Sequence, residues 1–321
     1  MSHPTASLKT SRLLTGLIAA PFTPLRADAS LNLAAVPAYA AHLARDGVKA
    51  AFVCGTTGEG PSLTTAERMR VTEAWCEAKP GIPVIVHVGH NAIAECCDLA
   101  RHAQETGAVA IATLAPGFFR PPATSGLVDW CAPIAAAAPD LPFYFYHMPS
   151  MVGSEFPMAE FLPKAAQAIP TFAGIKYTHN DLMDFGDALG AAAGRYSVLC
   201  GRDEILLPCL ALGAEGGVGS TYNYAAPLFQ RLIAAFARGD LAEARKWQAL
   251  ARAFIGVITR FGGLGANKMA MNLATGIDCG PTRPPLGNLP PAQVALLRAQ
   301  LEAVGFFAGI AAAKNGAAPG P

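Results

Sequence analysis

Short apolar runs alternate with longer segments of mixed polarity along the first two thirds of the chain. An apolar run of about 4–8 residues between turn residues is typical of a buried strand, whereas apolar positions spaced by three and four are typical of a helix. The pattern predicts eight strands, at residues 16–21, 50–54, 84–88, 110–114, 143–146, 173–176, 197–200 and 216–219. It predicts intervening helices at residues 33–45, 65–78, 92–106, 127–138, 181–193 and 204–212.

Strand and helix therefore alternate over residues 11–225. The strands are apolar along nearly their whole length, as they are in a parallel sheet that is covered on both faces. Eight repeats of such a unit close naturally into a (β/α)8 barrel, the TIM-barrel fold. A doubly wound open sheet is the structural alternative that the pattern leaves open.

The pattern changes after the eighth predicted strand. Helical periodicity continues, with no strand between the helices, at residues 228–238, 241–260, 267–275 and 291–304. We expect residues 226–308 to form a helical extension that completes the barrel and packs on it. Residues 1–10 and 309–321 lack periodicity, and we expect them to be mobile tails.

Composition narrows the class of protein. Of 321 residues, 52% are hydrophobic and 15% are charged, which provides a large apolar core and excludes disorder of the main body. A net charge of +1 cannot attract a polyanion at long range, so we expect no nucleic-acid partner. Proline or glycine interrupts the apolar runs before the roughly 20 residues that a spanning helix needs, so we expect no membrane association.

Two further features favour a cytoplasmic location. The first residues lack the basic segment, apolar stretch and cleavage site of a secretory leader. The eight cysteines have no CxxC spacing and lie mostly in apolar segments, as reduced and buried thiols do.

The loop after the second predicted strand is rich in glycine and hydroxyl groups. Two glycines flank Thr56 and Thr57, so that backbone N–H groups and both hydroxyls can approach an anion. The loop lacks the lysine of a phosphate loop, which favours a carboxylate ligand. Thr64 and Glu67 match a capping box that would start the next helix. A tight turn without a ligand is the alternative interpretation.

Of eight lysines, only Lys176 lies at the end of an apolar strand. There it would point into or just above the barrel, where active-site groups of such barrels lie. Desolvation lowers the pKa of a lysine and exposes a nucleophilic amine that can form a Schiff base with a ketone. A lysine in a buried ion pair is the alternative.

Aromatic residues fill the fifth predicted strand. Tyr144 and Tyr146 fall on one face, and Phe143 and Phe145 on the other. Core packing alone explains such a stripe. A tyrosine beside a lysine-derived iminium is nevertheless suited to acid–base catalysis, which makes Tyr146 a candidate catalytic residue with Lys176.

The loops after the last two strands offer polar groups for a polyhydroxylated ligand. Gly201, Asp203 and Glu204 follow the seventh strand, and Ser220 follows the eighth. A favourable charge at a helix N-terminus is the alternative role of the two carboxylates.

Neither a metal nor an organic cofactor is expected. His87 and His90 form an HxxH pair without a carboxylate or cysteine at ligand spacing. No GxGxxG follows the first predicted strand, which disfavours a dinucleotide.

Three motifs together resemble those of the N-acetylneuraminate lyase and dihydrodipicolinate synthase superfamily of Schiff-base pyruvate aldolases. Residues 55–59 are similar to its pyruvate-carboxylate motif, 146–149 to its catalytic-tyrosine motif and 174–176 to its Schiff-base motif. The resemblance runs from about residue 15 to about residue 305. It implies a (β/α)8 barrel with C-terminal helices, a homotetramer, a small 2-keto acid substrate, and neither a metal nor an organic cofactor.

Other positions distinguish members of the superfamily. Met151 stands where dihydrodipicolinate synthases usually carry an arginine for a second carboxylate, and a thioether cannot replace a guanidinium. Phe118 and Phe119 stand where many relatives place a tyrosine that relays protons across a subunit interface. Similarity to the animal-type sialic acid lyases, which favours cleavage of N-acetylneuraminate, is found in residues 141–149, 181–186, 200–204 and 219–224.

The resemblance implies a reaction as well. Lys176 would condense with the C2 ketone, Tyr146 would take the C4 hydroxyl proton, and the products would be pyruvate and N-acetylmannosamine. Ligand contacts would come from Thr56 and Thr57 at the carboxylate, and from Thr178, Gly201, Asp203, Glu204 and Ser220 at the sugar. Open alternatives are a 2-keto-3-deoxy sugar acid aldolase or dehydratase, a hydratase-aldolase, a dihydrodipicolinate synthase, or a non-catalytic ligand-binding regulator on this fold.

Overall fold

A computed structural model describes residues 14–79 and 81–316 of the chain. Eight parallel strands form a closed barrel in which each strand pairs with the next in sequence and β8 pairs with β1. The strands are β1 (Gly16–Ala19), β2 (Ala50–Val53), β3 (Val84–His87), β4 (Ala110–Thr113), β5 (Phe143–His147), β6 (Phe172–Tyr177), β7 (Ser197–Cys200) and β8 (Gly216–Gly219). The predicted (β/α)8 barrel is confirmed, and the open sheet is excluded.

Helices surround the barrel and continue beyond it. Those between strands are α1 (Val36–Arg45), α2 (Thr65–Glu77), α3 (Ile93–Glu105), α4 (Thr124–Ala136), α5 (Pro149–Val152), α6 (Met158–Ala168), α7 (Leu182–Ala192) and α8 (Leu206–Leu212). After β8 come α9 (Tyr222–Ala237), α10 (Leu241–Arg260), α11 (Leu264–Thr275), α12 (Pro291–Ala303) and α13 (Phe306–Asn315). Of these later helices, α9 packs against β1, and α10 packs against the 3-10 turn that follows β7.

Two cores share the strands between them. The inward side chains of all eight strands, among them Phe52, Tyr144 and Tyr146, form a cluster inside the barrel. Phe143 and Phe145 belong to the larger core between the strands and the helices, which confirms the predicted alternation along β5. The barrel is therefore filled with packed side chains, and a polar group at its upper end is largely removed from water.

A bulge between β5 and β6 sets the register in which the upper halves of these two strands pair. The pairing shifts from Phe143 with Phe172 to Tyr144 with Gly174. Gly174 has a φ of 154°, and a Cβ there would overlap the backbone carbonyl of Ser197. Beyond the bulge Tyr146 pairs with Lys176, so the two side chains leave neighbouring strands at the same height.

The structure adds one helix and corrects one expectation. The alternation of strand and helix implies a helix between β5 and β6 without giving its bounds, and the structure has α6 there, with Pro163 inside it. The expected mobile tail from residue 309 onward is wrong as far as Asn315, which ends α13. Phe306, Ile310 and Ala313 share one face of that helix and are buried, so packing stabilises it. Residues 1–10 lie outside the described ranges.

The lengths and compositions of the described helices bear on whether one of them could span a membrane. Within residues 14–79 and 81–316, no single helix is long and apolar enough to cross a bilayer. The pair α12 and α13, bent by 53°, reaches that length and composition only when both helices are counted together.

Candidate active site

A cavity of about 160 Å³ opens at the C-terminal end of the barrel. Every site residue that the sequence singles out lines it: Lys176, Tyr146, Thr56, Thr57, Thr178, Gly201, Asp203, Glu204 and Ser220. They lie on or directly after strands β2, β5, β6, β7 and β8, at the end of the barrel where catalytic groups of this fold are found. The fold thus brings together groups that are distant in the chain.

The amine of Lys176 lies between two aromatic faces. Its Nζ is 4.1 Å from the ring centroid of Phe52 and 3.8 Å from that of Tyr146. Burial lowers the pKa of Lys176 to about 7, while the nearby charge of Asp203 acts in the opposite direction. Among the residues that the structure describes, Lys176 makes no ion pair. Near neutral pH a large share of this lysine is therefore the free amine that attacks a ketone.

The hydroxyl of Tyr146 faces the loop that follows β2. It lies 3.3 Å from Thr56 Oγ1 and donates a hydrogen bond to Met148 Sδ at 2.9 Å. Burial raises the pKa of Tyr146, and the hydrogen bond with Thr56 opposes this shift. The resting residue is therefore a neutral phenol, which holds a proton next to the Lys176 amine.

The β2–α2 loop is a compact turn whose two threonines face the cavity. Its Gly58 carbonyl accepts a hydrogen bond of 2.6 Å from Thr23 Oγ1. The predicted capping box is present, with Thr64 and Glu67 each bonded to the other's backbone N–H at the start of α2. The tight turn and the anion cradle are thus compatible descriptions of the same loop, since the turn is what directs the hydroxyls inward.

The carboxylate of Asp203 is buried in the opposite wall of the cavity. Its Oδ2 accepts hydrogen bonds from Thr221 N at 2.9 Å and Thr221 Oγ1 at 2.6 Å. Its Oδ1 has no hydrogen-bond partner among the described residues, and a Cβ at Gly219 would overlap this oxygen. Burial raises the pKa of Asp203 to about 6, against the effect of the Thr221 hydrogen bonds. One oxygen of this carboxylate therefore lies against Gly219 with no donor from the described residues.

Polar groups also line the rim. Glu204 pairs with Arg202 at 3.1 Å, and both side chains are partly exposed. Ser220 Oγ accepts a hydrogen bond of 3.1 Å from Asn267 of α11. The buried hydroxyl of Thr178 has no partner within the described part of the chain. These donors and acceptors suit a ligand that carries several hydroxyls.

A second cavity, of about 450 Å³, continues from the first toward the C-terminal helices. It shares Thr56, Asp203 and Ser220 with the inner cavity and adds apolar side chains of α10 and α11. Met151 also lines this second cavity, and its side chain is 66% exposed. The reacting end of a ligand would lie in the small polar cavity, and its remote end in the wider one.

Sequence reasoning missed several residues that shape the site. Phe52 reads as an ordinary core residue of β2, although its ring faces Lys176 Nζ. Asn267 carries no local motif, and Arg202 lies in the 200–204 stretch without being predicted to have a role of its own. Only Met148 gives a hint in the sequence, because it follows β5 directly and lies two residues after Tyr146.

The two histidines of the HxxH pair have separate environments. His87 is buried, with Nδ1 3.2 Å from the Cys54 carbonyl, whereas exposed His90 accepts a hydrogen bond from Ala92 N. Among the described residues, no group of three or more His, Cys, Asp or Glu side chains is arranged to hold a metal ion.

Known proteins share both the sequence and the fold. Residues 13–304 match the dihydrodipicolinate synthetase family. The N-acetylneuraminate lyase of Mus musculus is 40% identical over 299 residues, which span 92% of this chain and 93% of that protein. The N-acetylneuraminate lyase of Danio rerio is 42% identical over 281 residues, which span 85% and 91%. The solved N-acetylneuraminate lyase of Proteus mirabilis is 40% identical, with a TM-score of 0.89 and coverage of 92% and 100%.

Proposed function

The chain belongs to the dihydrodipicolinate synthetase family, and on that premise we propose that it is a Schiff-base lyase that cleaves N-acetylneuraminate into pyruvate and N-acetylmannosamine. The observation that carries the proposal is the pairing of Lys176 with Tyr146 beside the two threonines of the β2–α2 loop. Extensive similarity to N-acetylneuraminate lyases supports the choice of substrate.

The first step joins Lys176 to the open-chain sugar acid. Its neutral amine attacks the C2 ketone, and the hydroxyl of the resulting carbinolamine leaves as water when Tyr146 donates its proton. Thr56 and Thr57 hold the adjacent carboxylate through hydroxyl and backbone donors. The product is a cationic iminium that can withdraw electrons from C3.

The second step breaks the C3–C4 bond. The Tyr146 phenolate, stabilised by the neighbouring iminium charge, takes the proton of the C4 hydroxyl. The C3–C4 bonding electrons move into the iminium to give an enamine, and the C4 carbon leaves as the aldehyde of N-acetylmannosamine. Protonation of the enamine at C3 and hydrolysis of the iminium then release pyruvate and restore Lys176.

The sugar end of the substrate is positioned by the remaining polar groups. One oxygen of Asp203 and the hydroxyl of Thr178 have no hydrogen-bond partner within the described chain. Gly201, Glu204 and Ser220 complete this wall of the cavity. Binding at this end orients the C4 hydroxyl toward Tyr146. Contacts remote from the reacting bond thereby increase the rate of its cleavage.

A pyruvate-release screen tests the proposal. The enzyme is incubated separately with N-acetylneuraminate and 2-keto-3-deoxygluconate, and assayed for condensation of pyruvate with aspartate semialdehyde. We expect N-acetylneuraminate to give the highest kcat/KM. A preference of tenfold or more for either of the other reactions would overturn the substrate assignment while leaving Schiff-base chemistry in place.

A second candidate is the same chemistry on another 2-keto acid, such as a 2-keto-3-deoxy sugar acid or an aromatic ylidene-pyruvate. The observation that favours it is the apolar outer cavity, to which Met151, Ile255 and Leu264 contribute. An apolar remote group would bury surface there, whereas the glycerol chain of a sialic acid would need the polar rim. The screen above, extended to such substrates, separates the two.

We further propose that the protein is a cytoplasmic homotetramer. Phe118 and Phe119 are 78% and 84% exposed and pack against each other, which suits a subunit contact. All eight cysteines are free thiols, as expected in a reducing compartment. Light scattering of the purified protein should give four times the monomer mass; a monomer at micromolar concentration would exclude the tetramer.

A further inference from the structure

A buried ion pair joins the β2–α2 loop to the C-terminal helices. Lys268 Nζ of α11 lies 2.7 Å from Glu59 Oε1, and the two side chains are 3% and 0% exposed. The same nitrogen donates hydrogen bonds to the carbonyls of Thr23 and Pro281, at 3.1 Å and 2.7 Å. The second carboxylate oxygen of Glu59 accepts a hydrogen bond of 2.8 Å from Arg283 N. Lys268 Nζ thus contacts three oxygens, and both oxygens of Glu59 face a donor group.

Glu59 lies in the β2–α2 loop, whose two threonines would hold the substrate carboxylate. Its N–H donates to the carbonyl of Thr56 at 3.1 Å, so a shift of Glu59 moves this threonine directly. Glu59 also has a left-handed backbone with a φ of 57°, which favours glycine, asparagine or aspartate. A long acidic residue kept in this strained conformation indicates that its side chain has a role that glycine cannot fill.

The partner helix acts on both walls of the cavity. Lys268 holds Glu59 in the β2–α2 loop, and the preceding residue, Asn267, donates a hydrogen bond to Ser220 after β8. Thr56 in turn lies within hydrogen-bond distance of the Tyr146 hydroxyl. α11 is therefore connected to the groups that would hold the keto acid, although it contributes no reacting atom.

We propose that Glu59 and Lys268 are positioning residues that fix Thr56 and Thr57 for the carboxylate of the substrate. This inference rests on the proposed function, because it assumes that a keto acid binds next to Lys176. The C-terminal extension then serves the keto-acid end of the site as well as completing the fold. Breaking the buried pair weakens binding of the carboxylate and leaves the amine chemistry of Lys176 intact.

A second contact between the same segments provides a matched control. The Arg283 guanidinium bonds both carboxylate oxygens of Glu67, at 2.7 Å and 2.6 Å, and these side chains are 17% and 22% exposed. The same guanidinium donates to the carbonyls of Ser62, at 3.0 Å, and of Ala29, so it fastens the end of the β2–α2 loop and the beginning of α2 rather than the threonine turn. An Arg283→Gln variant therefore loosens the attachment of the C-terminal segment without touching the backbone at Thr56.

The test compares two ketones by trapping on Lys176 with borohydride. Pyruvate carries a carboxylate and hydroxyacetone does not, so only pyruvate needs the two threonines. In Glu59→Gln and Lys268→Met, we expect the half-saturating concentration of pyruvate to rise about tenfold, and that of hydroxyacetone to stay within about twofold. Arg283→Gln should leave both concentrations within about twofold of wild type.

Glu59→Asp tests the positioning role of the buried pair if Glu59→Gln and Lys268→Met do not fold. Aspartate keeps a negative charge near Lys268 and tolerates a left-handed backbone, but its side chain is one methylene shorter, so keeping the ion pair requires the loop to shift. We expect this variant to have a wild-type melting temperature within about 5 °C and a pyruvate half-saturation raised at least threefold.

The outcomes separate this inference from the function on which it rests. If wild-type enzyme traps neither ketone, the Schiff-base function itself is wrong. If wild type traps both and Glu59→Asp binds pyruvate normally, loses both ketones equally, or fails to fold, the buried pair is a stability element and the inference is overturned. Failure of wild type to cleave N-acetylneuraminate, with trapping of pyruvate intact, would remove the substrate assignment only.

Discussion

Two buried lysines with opposite surroundings define two regions of this molecule. Lys176, inside the barrel, is 5% exposed and faces the rings of Phe52 and Tyr146. Lys268, between α11 and the β2–α2 loop, is 3% exposed and contacts three oxygens, including a carboxylate of Glu59. Burial is nearly equal, so burial alone does not distinguish a nucleophile from a structural ion pair.

The difference lies in what replaces the water that each ammonium loses. Around Lys268, oxygen atoms compensate the charge, which is how buried charges are usually tolerated. Around Lys176, aromatic faces offer only partial compensation, and desolvation brings the pKa down to about 7. The region without an ion pair is therefore the one that can do amine chemistry, and the paired region is the one that can hold a loop in place.

Replacing each lysine by methionine should separate the two regions most strongly. Lys176→Met removes the nucleophile, so kcat should fall by at least about 10⁴-fold while the melting temperature stays at or above that of wild type. Lys268→Met leaves Glu59 uncompensated and should lower stability by about 3–5 kcal/mol, yet keep adduct formation at high pyruvate. Steady-state rates, borohydride trapping and thermal melts measure these effects. A stable Lys268→Met together with an active Lys176→Met would reverse the assignment.

Tyr146→Phe tests whether the neighbour of Lys176 transfers protons or only packs. Loss of the hydroxyl should lower kcat by about 10²–10⁴-fold with little change in KM. Tyr144→Phe is the matched control. Tyr144 lies on the same face of β5, but its hydroxyl accepts a hydrogen bond of 3.3 Å from Leu14 N and not from a residue of the cavity. Equal rates in the two variants would reduce Tyr146 to a packing role.

The pH dependence of adduct formation reports the protonation state of Lys176. With a Lys176 pKa near 7, the fraction of neutral amine rises with pH through about 7, so the trapping rate should rise between pH 6 and 8 and then level off. Asp203 opposes the lowering of this pKa, so Asp203→Asn should move the midpoint to lower pH. Trapping reactions at a fixed pyruvate concentration, stopped at successive times at each pH, give the rate curve for wild type and for Asp203→Asn. A midpoint above pH 9 would show that Lys176 is not desolvated as described.

Glu204→Gln should have the smallest effect, since Glu204 lies at the partly exposed rim. Loss of one charge-supported hydrogen bond to a sugar hydroxyl costs about 1 kcal/mol, so KM for N-acetylneuraminate should rise about fivefold. The half-saturating concentration of pyruvate should not change, because pyruvate has no sugar end. A parallel rise for pyruvate would move Glu204 to the keto-acid end of the site.

Local patterns in the sequence predict the features that depend on local interactions, namely the strands and the residues at their ends. Eight apolar runs became the strands, and the strand-end position of Lys176 was enough to place it beside Tyr146. The bounds of the helix at residues 158–168 do not follow from the sequence pattern, although the alternation of strand and helix implies a helix there.

Long-range pairings could not be predicted in this way. A lysine in a helical segment gives no sign that it meets Glu59 from the other end of the chain, nor does Asn267 show that it supports Ser220. The sequence-based alternative for Lys176, a buried ion pair, describes Lys268 instead. Such contacts depend on how the barrel closes, and no residue spacing encodes them.

Mass spectrometry of the enzyme reduced with borohydride during turnover of N-acetylneuraminate identifies the lysine that forms the Schiff base. The Schiff base forms on the lysine that attacks C2, and reduction makes it permanent. We predict a reduced pyruvate adduct on the peptide that contains Lys176, absent without substrate and absent from the peptide of Lys268. Sustained cleavage of N-acetylneuraminate with no adduct at Lys176, or with an adduct at another lysine, would contradict this account.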